Sequence, residues 1–253
     1  MHVVTKKGAG YGPAMAEPTR FHGTGPYDIA TGKAIKKPAK APSYTSVFGE
    51  ALLNEARADE RIVAITAAME SGTGLTSFEK EFPDRFIDVG ICEENAAGMA
   101  AGLAIGGRKP VFAVYSTLLK RAIDQLIVNN ALMNLDVVFA IDRAGLVGAD
   151  GPTHHGMFDL VYTRMVPNMR VLAPSNEAEL VNSLHTALVL GGPFAVRYPR
   201  GEACGVPIPD KPETYEPGVS RLVRDGFDVA ILAFGNMVAP ANEAAAALEG
   251  EGL

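Results

Sequence analysis

The feature that most restricts the fold of this chain is a series of short apolar runs that recur along residues 61–197. Each run is continuously apolar rather than alternating, which is typical of parallel strands covered on both faces. The runs are Arg61–Thr66, Phe86–Gly90, Pro110–Val114, Asp136–Ile141, Met169–Ala173 and Phe194–Arg197. They predict a mostly parallel β-sheet.

Helical patterns lie between these runs. The segment 117–133 carries apolar residues at helical spacing. Ser175 and Asn176, followed by acidic residues, provide helix-capping and first-turn chemistry. The predicted helices cover residues 44–58, 93–106, 117–133 and 176–190. Strands that alternate with helices favour right-handed crossovers and a doubly wound α/β fold.

Composition excludes several classes of protein. The chain has 47% hydrophobic residues, too many for a disordered protein. No apolar run reaches the ~18 residues of a membrane span. A net charge of −6 without a long basic stripe argues against nucleic-acid binding. The two cysteines, Cys92 and Cys204, form neither a disulfide framework nor a zinc pattern, so we expect a reducing, cytoplasmic setting.

The chain divides into four parts by composition and by the pattern of predicted strands and helices. Residues 1–43 are rich in Gly, Pro and Lys and are predicted to be a linker, and residues 201–218 form a second, proline-rich linker. The α/β pattern fills residues 44–200 between them. Residues 219–253 predict one strand, Phe227–Phe234, and one alanine-rich helix. Because one strand and one helix cannot bury their own apolar faces, we expect an incomplete second α/β domain.

Loops after three of the predicted strands carry polar residues that packing does not require. In the Gly90–Asn95 loop, Glu93 and Glu94 open a helix. They are explained either by stabilisation of the helix dipole or by a carboxylate that handles a proton in a pocket. Tyr115–Arg121 and the long, glycine-rich Asp142–Gly156 loop follow two other strands. Although the latter contains adjacent histidines, neighbours in a chain rarely reach one ion, and we expect no metal ligands here.

Five segments together carry a specific resemblance. They are FIDVGICEENAAGMAAGLA, PVFAVYSTLLKRAIDQL, VVFAIDRAGLVGADGPTHHGMFD, PNMRVLAPSNEAE and AVRYPRG. The chain resembles the 1-deoxy-D-xylulose-5-phosphate synthase family of transketolase-like, thiamine-diphosphate-dependent transferases. The resemblance implies that residues 1–43 include the end of a diphosphate-binding domain and that residues 44–200 are a pyrimidine-binding domain. It also implies that residues 219–253 begin a C-terminal domain, and that the Mg²⁺ ligands lie in an N-terminal domain missing from this chain.

The resemblance also implies a reaction and a set of site residues. The reaction condenses pyruvate with glyceraldehyde 3-phosphate, releases CO₂ and yields 1-deoxy-D-xylulose 5-phosphate, a precursor of isoprenoids and thiamine. Matching catalytic positions are Glu93, His154 and His22. Matching cofactor-binding positions are Glu93, Leu118, Arg121 and Tyr115. Matching substrate-binding positions are Tyr115, Arg143, Asp150, His154 and Arg200. Among these, the guanidinium groups of Arg143 and Arg200 suit a phosphate dianion.

The chain departs from the family pattern at two positions near the implied cofactor. Asn95 stands where the family usually has a histidine, and Leu118 where it usually has a phenylalanine that stacks on the pyrimidine. We expect a homodimer, or a partner chain that supplies the diphosphate-binding domain, and little activity from this chain alone. Two alternatives stay open: a small subunit of another transketolase-like enzyme, and a non-catalytic module for dimerisation or binding.

Overall fold

The computed structural model describes residues 1–35 and 38–252. Lys36 and Lys37, in the first predicted linker, and Leu253, at the end of the last predicted helix, lie outside the described residues. The chain forms two compact units, Met1–Lys40 and Ala41–Leu253.

The first unit is built around three aromatic rings. It contains one short helix, α1 (Gly12–Ala16), and an antiparallel bridge between Tyr27 and Ala34. The ring of Phe21 lies 5.6 Å from that of Tyr11 and 5.2 Å from that of Tyr27, in edge-to-face contacts. Phe21, which stands out in an otherwise polar segment, is therefore part of a small local cluster.

The second unit contains the predicted parallel sheet. Its strands, in the part of the chain that is described, are β1 (Ile62–Thr66), β2 (Phe86–Asp88), β3 (Lys109–Tyr115), β4 (Val138–Asp142), β5 (Arg170–Leu172) and β6 (Phe194–Arg197). Their order is β2-β1-β3-β4-β6-β5, and every neighbouring pair is parallel. All six apolar runs singled out between Arg61 and Arg197 form strands, so the prediction of a mostly parallel α/β fold is confirmed.

Helices cover both faces of this sheet. They are α2 (Tyr44–Ala58), α3 (Thr76–Glu81), α4 (Glu93–Ile105), α5 (Ser116–Leu119), α6 (Ile123–Gln125), α7 (Asp159–Met165) and α8 (Glu177–Leu190). A further helix, α9 (Val238–Gly250), follows them in the chain and buries none of its residues. The side chain of Ser43 caps α2 by accepting from Ser46 N, and that of Asn176 caps α8 by accepting from Glu179 N. The capping predicted at Asn176 is therefore present.

Alternate residues of each strand enter two separate cores. Val111 and Ala113 of β3 pack in the cluster that includes residues of α2 and α8. Phe112 and Val114 pack in the cluster on the other face, with α4. Because both faces of the central strands are buried, apolar residues are favoured at consecutive positions, which explains the continuously apolar runs.

Two elements differ from the sequence-based expectation. The helix predicted over 117–133 is divided into α5, a 3₁₀ turn, α6 and a π-helical segment, Leu126–Ala131. Within that segment the Asn130 side chain donates to the carbonyl groups of Ala97 and Gln125. A side chain that bonds to neighbouring backbone carbonyls competes with a regular helical ladder.

The strand predicted over 227–234 is wrong. These residues have no regular structure, and the side chains of Phe227 and Leu232 are fully exposed. A strand is stable only when it pairs with a neighbour, and one apolar segment provides none by itself. The helix that follows it, α9, does form. No helix of the described residues is long and apolar enough to cross a membrane.

Candidate active site

The predicted site loops follow strands at the carboxyl edge of the sheet. Tyr115, the last residue of β3, is paired in register with Asp142, the last residue of β4. Asp88 ends β2 opposite Thr66 of β1, and the Glu93 loop follows it. Ligands of open α/β sheets bind beyond this edge, so the fold gathers the polar loops where a site is expected.

A tight turn after β2 places Glu93 at the start of α4. Asp88 Oδ1 accepts hydrogen bonds from the backbone N–H groups of Ala68, at 2.8 Å, and Gly90, at 2.9 Å. Gly90 has a φ of +69°, in the left-handed region that favours glycine. This turn redirects the chain from the strand into the helix within a few residues.

The structure distinguishes the two acids that open α4. Glu93 is only 1% exposed, whereas Glu94 and Asn95 are exposed. Arg121 Nη1 donates to Glu93 Oε2 at 3.2 Å, while the Arg121 side chain remains 48% exposed. A buried carboxylate is thus held by a cation that reaches solvent, and helix-dipole stabilisation alone does not require that burial.

Small apolar side chains line the helix face next to Glu93. Ala96, Ala97 and Ala100 are fully buried in the core on this side of the sheet. Leu118, which is half-buried, packs against the same core. Glu93 therefore shares the buried face of α4 with small apolar side chains.

A second group of site residues gathers around Asp150. Asp150 Oδ2 accepts from Arg143 Nε at 2.9 Å and also lies 2.9 Å from Arg200 Nε. One carboxylate oxygen therefore holds two guanidinium groups side by side. Arg143 is 15% exposed and Arg200 39% exposed, so both cations are accessible.

Tyr115 supports this group from one side. The Arg143 guanidinium lies over the Tyr115 ring, 3.8 Å from its centroid. Burial is the main cause that raises the pKa of the Tyr115 phenol, which keeps it protonated near neutral pH. A Cβ added to Gly72 would lie 1.9 Å from the Tyr115 hydroxyl, so only glycine fits there without displacing Tyr115.

Sequence reasoning missed two residues beneath the arginine group. The Asp142 side chain is fully buried, and its carboxylate accepts from Thr45 Oγ1 at 2.7 Å and from the Arg143 backbone N–H at 2.6 Å. Burial raises the pKa of Asp142 to about 6, although the Arg143 charge and these hydrogen bonds oppose the rise. An acid at the end of an apolar strand was a usable signal for Asp142, whereas Thr45, 97 residues away, had none.

The histidines occupy different places. The half-buried His154 ring lies 6.4 Å from that of Tyr115, and its Nδ1 is 3.0 Å from Thr153 Oγ1. His155 Nδ1 accepts from the Val147 backbone N–H at 3.2 Å, an interaction internal to the long loop. His22 is exposed and belongs to the first unit.

The predicted site residues of the second unit thus form two groups. The first consists of Glu93 and Arg121, with Leu118 packed on the core beside them. The second consists of Tyr115, Arg143, Asp150, Arg200 and, at its margin, His154. In the described part of this unit, no hydrogen bond or ion pair joins the two groups. No cluster of three His, Cys, Asp or Glu residues suited to a metal ion occurs among residues 1–35 and 38–252.

Known proteins show the same sequence pattern. The chain is 53% identical over 253 residues to the 1-deoxy-D-xylulose-5-phosphate synthase of Syntrophomonas wolfei, covering all of this chain and 39% of that protein. It is 55% identical over 254 residues to synthase 2 of Geobacter sulfurreducens, again covering all of this chain and 41% of that protein. The chain therefore spans about 40% of the length of these curated relatives.

Solved structures share the fold. A split gene transketolase, described as an inactive β4 tetramer, superposes with a TM-score of 0.73 at 32% identity, over 84% of this chain and 69% of that chain. A transketolase from Pichia stipitis superposes with a TM-score of 0.70 at 19% identity, over 86% of this chain and 34% of that chain. The family of transketolase pyrimidine-binding domains matches residues 40–205. From its sheet, its site loops and these matches, the chain belongs to the transketolase pyrimidine-binding domain family.

Proposed function

We propose that this chain provides the pyrimidine-binding part of a thiamine-diphosphate-dependent 1-deoxy-D-xylulose-5-phosphate synthase. That enzyme would condense pyruvate with glyceraldehyde 3-phosphate, with loss of CO₂. The observation that carries the proposal is the burial of Glu93 at the carboxyl edge of the sheet, next to an apolar helix face. Identity above 50% to synthases along the whole chain supports the choice of reaction.

The residues around Glu93 fit an aminopyrimidine ring. Among the described residues, the Glu93 carboxylate accepts only from Arg121, so it keeps capacity to bond a ring nitrogen. The alanine face of α4 and Leu118 offer apolar surface for the ring. Thiamine diphosphate, when bound, supplies a carbon nucleophile and an electron sink for decarboxylation. Glu93 would hold a proton at the pyrimidine nitrogen, and Arg121 would orient the carboxylate.

The arginine group fits the phosphate of the acceptor. Arg143 and Arg200 are held side by side by Asp150, and both remain accessible. A guanidinium pair binds a phosphate dianion through charge-assisted hydrogen bonds. Tyr115 orients Arg143, and His154 at the margin of the group would bind the acceptor or relay a proton.

The complete enzyme would also need groups from outside the two site groups of the second unit. We assign His22 a role near the reacting carbon. A diphosphate-binding domain would supply Mg²⁺ and its ligands, in a homodimer or from a partner chain. We assign residues 1–43 to a linker and the end of the diphosphate-binding domain, and residues 44–200 to the pyrimidine-binding domain. We assign residues 201–218 to a second linker and residues 219–253 to the start of a third domain. Both cysteines are free, which agrees with a cytoplasmic enzyme.

A matched pair of variants tests the role of Glu93. With the diphosphate-binding domain, Mg²⁺ and cofactor supplied, Glu93→Gln should lower formation of 1-deoxy-D-xylulose 5-phosphate by roughly 100-fold or more, since proton transfer by a placed side chain contributes about that much. Glu94→Gln removes the same charge from the exposed neighbour and should leave the rate within about twofold of the parent. Equal rates for Glu93→Gln and Glu94→Gln would contradict the proposal.

The likeness to the split gene transketolase favours one alternative function, that of a subunit of another transketolase-like enzyme. Identity to that protein is 32%, against 53% and 55% to the two synthases. Product analysis separates the two possibilities. A synthase consumes pyruvate and releases CO₂, whereas a transketolase moves a two-carbon unit between sugars without loss of CO₂.

A further inference from the structure

We propose that Asp142 and Thr45 are positioning residues for phosphate binding. The buried Asp142 carboxylate, oriented by the Thr45 hydroxyl, holds Arg143 in place beside Arg200 for the phosphate of the acceptor substrate. This inference rests on the proposed function, which makes the arginine pair a phosphate site, and it assigns roles to two residues that never contact the substrate.

Three contacts hold the Arg143 guanidinium within this chain. Its Nε donates to Asp150, and its Nη1 donates to the Gly72 carbonyl at 3.1 Å and lies 3.3 Å from Asp142 Oδ2. One face of the group is covered by Tyr115. Within the described chain, Nη2 has no hydrogen-bond partner, which leaves it available to an anion.

Asp142 also holds the backbone of the same arginine. Arg143 has a φ of +59°, in the left-handed region that non-glycine residues rarely adopt. Asp142 Oδ1 accepts from the Arg143 backbone N–H, while Oδ2 faces the guanidinium. A strained backbone persists only when its surroundings over-determine it, and such residues cluster at functional sites. One carboxylate thus restrains both ends of Arg143.

Thr45 gives the carboxylate its orientation. Thr45 lies in the first turn of α2, and its hydroxyl donates to Asp142 Oδ2 at 2.7 Å. Because Oδ2 is shared by the Thr45 hydroxyl and the Arg143 guanidinium, loss of the hydroxyl frees the carboxylate to rotate away from Arg143.

A purely structural role does not explain a charged group at this position. Burial raises the pKa of Asp142, so its ionised form costs stability at neutral pH. A neutral amide of the same shape would avoid that cost. Proteins retain destabilising buried groups mainly where function needs them, which is the trade-off between stability and activity.

Calorimetric titration of the full chain with glycerol 3-phosphate tests the proposal without requiring turnover. Thr45→Val keeps the Asp142 charge and should weaken binding about fivefold. Asp142→Asn should weaken it about tenfold, because the amide presents an N–H to the guanidinium, even though the change removes a negative charge. Thr163→Val, at a buried threonine whose hydroxyl bonds only within α7, is the matched control and should bind like the parent.

The outcomes separate this inference from the proposed function. Unchanged or tighter binding by both Thr45→Val and Asp142→Asn, or no binding by the parent, would overturn the positioning role. In the enzyme completed with its other domains, both variants should raise the KM for glyceraldehyde 3-phosphate and leave the KM for pyruvate unchanged. If the parent binds glycerol 3-phosphate but makes no 1-deoxy-D-xylulose 5-phosphate, the reaction assignment fails while the binding data still decide the role of Asp142. Should Asp142→Asn not fold, Thr45→Val alone decides.

Discussion

Glu93 and Asp142 are both buried carboxylates at the carboxyl edge of the sheet, and each faces an arginine, but their surroundings differ. Asp142 accepts from Thr45 and from the Arg143 backbone besides facing the guanidinium. In the described chain, Glu93 accepts from Arg121 alone. Burial therefore does not by itself define a catalytic acid. A carboxylate whose lone pairs are used internally is a support, and one with unused lone pairs is available to a ligand.

Removal of Arg143, the arginine that faces Asp142, should have the largest effect on stability. Arg143→Ala should destabilise the chain by about 3 kcal/mol, because it leaves the Asp142 charge buried without its partner. Urea denaturation measures this. A loss below about 1 kcal/mol would show that Arg143 does not stabilise the buried Asp142 charge. Asp142 and Glu93 would then not differ in how strongly each depends on its arginine.

The stability of the chain should depend on pH through Asp142. Burial raises the pKa of Asp142 from 3.8 to about 6, against the charges of Arg143 and Arg200 that face it. The folded state therefore binds more protons than the unfolded state between these values, and the contribution of Asp142 to stability falls as pH rises from about 4 to 6. Asp142→Asn removes this titration. Above pH 6, the free energy of unfolding of Asp142→Asn should exceed that of the parent by about 2 kcal/mol. This value follows from about 1.36 kcal/mol per pKa unit, reduced by the altered contact with Arg143.

Denaturation of parent and Asp142→Asn across pH 4–8 checks this expectation. The Asp142 charge also helps to raise the pKa values of Tyr115 and Tyr198. Both phenols therefore stay neutral throughout that range and do not contribute to the pH dependence. A difference between the two proteins that is independent of pH would show that Asp142 does not titrate in this window.

Gly72→Ala tests the support of Arg143 from the other side. The added Cβ would overlap the Tyr115 hydroxyl, so the ring must move and release its contact with the guanidinium. Overpacking of this kind costs roughly 1–2 kcal/mol. Glycerol 3-phosphate binding should also weaken, by about threefold. Gly102→Ala is a suitable control, because a Cβ at that position meets no neighbouring atom within 4 Å.

Arg121→Ala should have the smallest effect on stability. Since nearly half of the Arg121 side chain is exposed, its pairing with Glu93 is screened by solvent, and we expect a loss below about 1 kcal/mol. Cofactor binding in the completed enzyme should fall more clearly than stability. A stability loss as large as that of Arg143→Ala would remove the contrast between the two carboxylates.

Much of the fold was predictable from local sequence. The apolar runs from Arg61 to Arg197 all became strands, because burial of a parallel strand on both faces favours a continuously apolar sequence. The run at 227–234 has the same local character but formed no strand. Strand formation depends on pairing with another segment, and no local pattern reports whether such a segment is present.

The site divides in the same way. Acids, arginines and histidines follow the ends of apolar runs in the sequence, and a shared edge of a parallel sheet brings such loops together. The packing of the folded chain makes Glu93 buried and Glu94 exposed, although the two are neighbours with identical chemistry. It also brings Thr45 to Asp142 across 97 residues of chain. Contacts between distant segments arise from packing, and the residues around each partner carry no trace of them.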